Sequence, residues 1–170
     1  QHVYMEPCSA LADIDAAGKI TVWSGNQSVF HVQGFVAAAL GMPMSKVRCI
    51  TPMVGGGFGA KMEHTVQPIA AALARKAHKP VRVTLSREQD FEMIRARHPA
   101  KVWMKTGAKL DGTLVAREVK IILDGGAYAD DSPGVGAVCA LFSRGPYKIG
   151  NVRLDCRPVY TNKLRSGAFR

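Results

Sequence analysis

The segment Val54-Gly55-Gly56-Gly57-Phe58-Gly59-Ala60-Lys61 places four glycines within five residues. A backbone without Cβ atoms over that length can be approached closely, and its N–H groups are its chemistry. It follows a strand-like stretch, 47–51, and precedes a helical one beginning near Glu63, so helix-terminal donors and positive potential are expected beside it. The guest such a site favours is anionic or rich in oxygen acceptors. A glycine connection serving packing alone is the plain alternative.

Three ligand classes compete for the loop. A P-loop needs Gly before its Lys and Ser or Thr after it, whereas the order here is Ala60-Lys61-Met62. Gly55-x-Gly57-x-x-Ala60 matches a dinucleotide fingerprint literally. Its acidic partner, about 20 positions on, is replaced by Arg75-Lys76, and Glu88 lies too far along. The third class is a metal–organic cofactor whose oxo or sulfur ligands accept backbone N–H groups. Cys8, Cys49, Cys139 and Cys156 form no C-x-x-C, so thiolates are not expected to hold zinc, an iron–sulfur cluster or any other redox cofactor. His31, His64, His78 and His98 form no zinc-binding pattern, and Asp124, Asp130 and Asp131 read as turn residues or as a pair lining a pocket.

The elements that must position these groups alternate between α and β. Residues 19–23 read as a strand, and Ser24-Gly25-Asn26-Gln27-Ser28 supplies capping side chains for a helix to about Leu40, with Val29, Val32, Phe35, Val36 and Leu40 on one face. Gly41-Met42-Pro43 ends it. After the 47–51 strand and the glycine loop, a helix to Ala77 should bury Val66, Ile69, Ala70, Leu73 and Ala77, with Pro68 near its first turn. A strand at 81–85, a Ser86-capped helix through Ile94 and a long hairpin, 101–109 with 114–123 around Asp111-Gly112, follow. Asp124-Gly125-Gly126 is expected to break the hairpin before a short helix at 135–142 and a last strand at 152–160. The class is α+β, helices packed on mixed sheets, with a subdomain boundary near 99–101.

The 170 residues, 47% apolar and 21% charged, suit one soluble domain or two small subdomains. The net charge of +10 is spread out; Arg75-Lys76 with Lys79, and Arg95 with Arg97 and Lys101, are short clusters without interleaved aromatics. A solvated face or the flank of a larger protein is therefore expected rather than a nucleic-acid partner. No run approaches the ~20 apolar residues of a membrane span, and Gln1-His2-Val3-Tyr4 lacks a secretory profile. Ending in Ser166-Gly167-Ala168-Phe169-Arg170, the chain reads as a segment of a longer polypeptide.

The glycine loop, Ser24-Gly25-Asn26-Gln27-Ser28, Tyr160-Thr161-Asn162-Lys163, Ser166-Gly167-Ala168-Phe169-Arg170, His2-Val3-Tyr4-Met5-Glu6-Pro7 and Arg97-His98-Pro99 together resemble the xanthine dehydrogenase/aldehyde oxidase family, specifically its molybdopterin-binding large subunit. The resemblance implies oxidative hydroxylation of an aldehyde or N-heterocycle, with oxygen from water. Electrons would pass from molybdenum to iron–sulfur clusters and FAD on other domains or subunits. The cofactor would be molybdopterin with molybdenum, with or without a cytosine dinucleotide extension, in a cytoplasmic protein, the periplasm being the second option.

By the same resemblance, the Gln27 amide approaches the apical oxo ligand, and the backbone of Gly57, Phe58, Gly59 and Ala60 faces the cofactor. Gln27 and Phe58 would then lie near molybdenum without being side-chain ligands. A buried Phe58 ring would fix the loop while its N–H points to the cofactor. Arg170 would orient substrate or stabilise developing negative charge. Met62 stands where the purine-oxidising enzymes have a substrate-binding Glu, followed here by Glu63 and His64; methionine neither takes a proton nor pairs with a ring N–H, which points away from xanthine. Ser166–Phe169 holds no cysteine, unlike the carbon monoxide dehydrogenase branch. The family's general base, a late glutamate, falls outside the matched region, so these 170 residues alone are expected to be inactive. A noncatalytic nucleotide- or anion-binding module built on Gly55–Ala60 is the rival reading.

Overall fold

A computed structural model of the chain describes residues 1–62 and 65–169. Expectations placed on Glu63, His64 and Arg170 lie outside the described residues. The chain divides into two compact units: Gln1–Ile94 joined by Phe169, and Arg95–Ala168.

The first unit is built on a four-stranded sheet of β1 (Ser9–Ile14), β2 (Ile20–Ser24), β3 (Val47–Ile50) and β4 (Val81–Thr84), in the order β3-β2-β1-β4. β1 runs antiparallel to β2 and β4, while β2 and β3 are parallel, with Trp23 opposite Ile50. Parallel neighbours need a crossover, supplied by helix α1 (Val29–Leu40). Helix α2 (Val66–Ala77) packs on β1 and β4 and against α1, and α3 (Arg87–Met93) follows β4. Val22, Val32 and Val36 are completely buried between sheet and helices, each contributing about 1.5–3 kcal/mol relative to exposure.

Four local expectations need correction. On α1, Val32, Val36 and Leu40 are buried as read, but Phe35 is 53% exposed. Ser28 is the N-cap of α1, but its side chain makes no capping bond. On α2 the buried face is Val66, Gln67, Ala70, Ala71 and Ala74; Ile69, Leu73 and Ala77 point outward, because close helix–sheet packing takes the small side chains. Between the glycine loop and α2 stands a 3-10 turn, Ala60–Met62, so the glycines do not open directly into the helix. Ser86 behaves as read: it caps α3 in a reciprocal box with Gln89.

The second unit holds β5 (Ala96–Arg97), β6 (Ala100–Ala108), β7 (Leu114–Gly126), α4 (Ser132–Phe142), β8 (Asn151–Tyr160) and β9 (Ser166–Gly167). β6 and β7 form the expected hairpin and β8 adds to β7 in parallel, with α4 covering them over Val119, Ile121 and Leu123. Asp124-Gly125-Gly126 does not end the hairpin strand: β7 continues through it, with a pairing irregularity between Asp124 and Gly126. β5 and β9 pair in parallel. Among the described residues, mixed sheets with four α-helices make the chain α+β, as the sequence reads. Among the described residues no helix is long and apolar enough to cross a membrane.

Candidate cofactor site

Because β2 and β3 are parallel neighbours, their carboxyl ends lie side by side, and crevices at such ends are where open sheets bind ligands. Gln27 follows the end of β2 by three residues, and the glycine loop follows β3. Asn26, 4% exposed, ties the two exits together: its Nδ2 donates to the Ser24 carbonyl at 3.0 Å and to Thr51 Oγ1 at 2.7 Å, and its Oδ1 accepts the Ser28 N–H at 3.1 Å.

Gln27 is bonded to the loop twice. Its Oε1 accepts the Gly59 N–H at 2.9 Å, and its own N–H donates to the Lys61 carbonyl at 2.9 Å. Gly57 has to be glycine here, since a Cβ on it would enter the space of the Gln27 amide, 2.7 Å from Cδ. The next residue, Phe58, adopts φ 53° and Gly59 φ 100°; the left-handed conformation is strained for a bulky residue, by about 1–3 kcal/mol. The Phe58 ring is 45% exposed, so it does not anchor the loop as expected. Hydrogen bonds from Ala60 N to Gly57 O and from Met62 N to Gly59 O close the turn instead. Ala60 is buried and Met62 partly exposed. Among the described residues, neither the Gln27 Nε2 hydrogens nor the Phe58 N–H has a protein acceptor.

Below the loop, Lys61 is 2% exposed, and its Nζ donates to Glu6 Oε2 at 2.6 Å and sits 4.8 Å from the centre of the Tyr4 ring. The same Glu6 oxygen accepts the Gly55 N–H at 2.7 Å. Burial pushes the Glu6 carboxyl up, but the Lys61 ammonium and the Gly55 N–H outweigh it and hold its pKa below 4.5. The only lysine of the loop is thus spent on a protein carboxylate.

In the second unit the buried Arg95 guanidinium meets Asp130 Oδ2 at 3.3 Å and Asp131 Oδ2 at 2.9 Å, and Asp131 also accepts the Ala168 N–H at 3.2 Å. Asp130 and Asp131 are therefore a clamp for Arg95 rather than simple turn residues. Gly167 lies against Arg95, 2.7 Å from Nε to where a Cβ would stand. His98 Nε2 meets Ser132 Oγ at 2.7 Å, and burial pushes its pKa below 6.5. An apolar cavity of about 180 Å³ lies nearby, lined by Tyr128, Ser132, Pro158 and Tyr160 among others, but among the described residues none of the expected site residues borders it. In the first unit Phe169 stacks on His2, with centroids 4.0 Å apart.

Gln27, Gly57, Phe58, Gly59 and Ala60 therefore form one cluster, with Met62 at its edge. The sequence reading missed Asn26 as a buried tie and Glu6 and Lys61 as a pair; the only available signal was that all three sit inside quoted motifs. Among the described residues the cluster offers N–H groups without a free thiolate or carboxylate, which fits a group that brings its own metal ligands and presents oxygen acceptors.

A family model described as molybdopterin cofactor-binding domain matches residues 1–170. The nicotinate dehydrogenase large molybdopterin subunit of Eubacterium barkeri is 41% identical over 169 residues, covering 99% of this chain and 40% of that protein. Aldehyde oxidoreductase from Desulfovibrio gigas superposes with a TM-score of 0.91 at 29% identity, over 96% of this chain and 18% of that one. Quinoline 2-oxidoreductase from Pseudomonas putida 86 gives 0.87 at 29% identity, over 99% of this chain and 22% of that one. The chain spans less than half the length of each of these relatives. It belongs to the molybdopterin cofactor-binding domain family, of the xanthine dehydrogenase and aldehyde oxidase type.

Proposed function

We propose that this chain is one segment of the molybdenum-bearing subunit of a hydroxylase that oxidises an aldehyde or N-heterocycle, with the inserted oxygen coming from water. The observation that carries the reading is the pairing of Gln27 with the loop: its carbonyl is used on Gly59, which leaves its amide N–H groups as unspent donors. When bound, the molybdopterin centre would take up the substrate's electrons and pass them to iron–sulfur clusters and FAD on other domains or subunits.

This chain's residues would do the holding. Gln27 Nε2 offers N–H donors to an oxygen that gathers charge, an interaction worth most where donors are preorganised. The Gly57–Ala60 backbone supplies a close-fitting wall, with the Phe58 N–H as a second donor. Met62 borders the substrate side with a side chain unable to pair with a ring N–H, which favours an aldehyde or a less polar heterocycle over xanthine. Arg170 would meet a substrate carbonyl or carboxylate through forked donation. With the general base and the electron carriers elsewhere, the 170 residues alone would be inactive. The site belongs to a cytoplasmic enzyme in this reading, consistent with four free cysteines.

The rival, an anion- or nucleotide-binding module, draws less support. Lys61 is withdrawn to Glu6 rather than offered to a phosphate, and the glycines lead into a 3-10 turn rather than a helix N-terminus. Substituting Gln27→Ala in the full-length protein separates the two. Loss of turnover with an aldehyde or N-heterocycle supports the hydroxylase; unchanged turnover, with nucleotide affinity present in both proteins, supports the module.

A further inference from the structure

We propose that Glu6 is a positioning residue: as the acceptor for the Gly55 N–H it holds the Gly55–Ala60 loop in its cofactor-binding shape, with Lys61 as the cation that balances its charge. The inference rests on the molybdopterin reading above. Neither residue supplies the donors assigned to the cofactor, which are Gln27 Nε2 and the Phe58 N–H.

The geometry is a clasp with two ends. At the start of the loop, Gly55 N–H donates to Glu6 Oε2 at 2.7 Å and the Gly55 carbonyl accepts the Glu6 N–H at 3.3 Å. The two backbones come so close that a Cβ on Gly55 would stand 2.6 Å from Glu6 Cβ. At the end of the loop, Lys61 Nζ reaches the same Glu6 oxygen at 2.6 Å. One carboxylate oxygen therefore joins both ends. Lys61 then passes the constraint to Gln27, whose N–H its carbonyl accepts.

The clasp is itself fixed to the helix layer. Tyr4, whose ring lies under Lys61 Nζ, donates its hydroxyl to Asp90 Oδ1 on α3 at 3.0 Å, and Arg87 Nη2 donates to the Tyr4 carbonyl at 2.6 Å. Asp90 Oδ1 also accepts the Cys8 N–H at 3.1 Å. Stability alone gives little reason for the ion pair. A buried lysine has to be compensated, and apolar residues of similar volume commonly serve stability as well. What an apolar pair cannot supply is an acceptor for the Gly55 N–H.

Two double variants in the full-length holoenzyme isolate that acceptor. Both remove the buried cation: Glu6→Gln with Lys61→Met keeps an acceptor for Gly55, and Glu6→Leu with Lys61→Met does not. Molybdenum per chain is measured by mass spectrometry, alongside melting temperature, kcat per molybdenum and KM. The expected result is near-native molybdenum and kcat in the Gln/Met protein. In the Leu/Met protein molybdenum should fall about 10-fold, with kcat per molybdenum reduced, KM unchanged and a similar melting temperature. Equal loading and kcat in the two proteins would overturn the proposal, as would loss of molybdenum from the Gln/Met protein at a native melting temperature. A wild-type holoenzyme without molybdenum would overturn the cofactor reading and this inference together; a loaded wild type with indistinguishable variants overturns the inference alone.

Discussion

Gln27 and Gly59, 32 residues apart, are joined by a 2.9 Å hydrogen bond in which the glutamine carbonyl is the acceptor. That bond sets the amide's orientation. With Oε1 turned to the loop, Nε2 faces away from it, so the side chain meets any guest as a donor. Gly57 makes the arrangement sterically possible, and the strained Phe58 between the two glycines shows that the loop's shape is imposed by its surroundings rather than by local preference.

Gln27→Glu should therefore be nearly as damaging as removal of the side chain. A carboxylate can still accept the Gly59 N–H, so the fold should hold to within about 1 kcal/mol. It offers no N–H in place of Nε2, and kcat should fall by about 10²- to 10³-fold. Steady-state kinetics on the full-length enzyme, with a melting curve as control, checks this. Native kcat in the glutamate variant would remove Nε2 from the chemistry.

Acid should release the loop. The Glu6 carboxyl lies below 4.5 in the folded chain because Lys61 and the Gly55 N–H outweigh its desolvation. Its contribution is accordingly complete above 4.5 and disappears as the pH falls through the lower folded value. Molybdenum retention after incubation from pH ~6 down to ~3 should drop in that lower range. Glu6→Gln, which cannot titrate, should show a shallower decline; identical acid curves would contradict the role of the carboxylate.

In the second unit, Arg95→Met would strand Asp130 and Asp131 beside each other with their cation gone. Because the two carboxylates stay partly exposed, losing their cation costs about 1–3 kcal/mol. Since Asp131 also holds the Ala168 N–H, hydrogen exchange should quicken in 132–142 and 166–168, while amides of β1 and β2 keep native protection. Unchanged exchange at Ala168 would show that the clamp does not reach that segment.

The sequence was most informative where backbone chemistry is local. Ser86 with Gln89, the Asp111-Gly112 hairpin and the glycine loop all stood out because turn and cap residues act on their immediate neighbours. β1 leaves little trace in the sequence because its inward residues, Ala10 and Ala12, are small while Leu11 points outward, which hides the period-two contrast. The face of α2 is hidden for the same reason: Ala70, Ala71 and Ala74 pack where Ile69 and Leu73 promise more area. Glu6 and Gly55 lie 49 residues apart, and no spacing rule connects them. Gln27, Phe58 and Gly59 were placed by resemblance; which atom of Gln27 is spent, and that the Phe58 ring is half in solvent, are tertiary facts.

The most direct test of the cofactor site is the molybdenum content of the full-length protein with Gly57→Val beside wild type. A valine at 57 would occupy the space of the Gln27 amide while leaving both hydrophobic cores untouched. The expected result is molybdenum stoichiometric with the wild-type chain and about 10-fold lower in the variant at equal folded content. Full molybdenum in Gly57→Val, or none in wild type, would contradict a molybdopterin site built from Gln27 and the 57–60 loop.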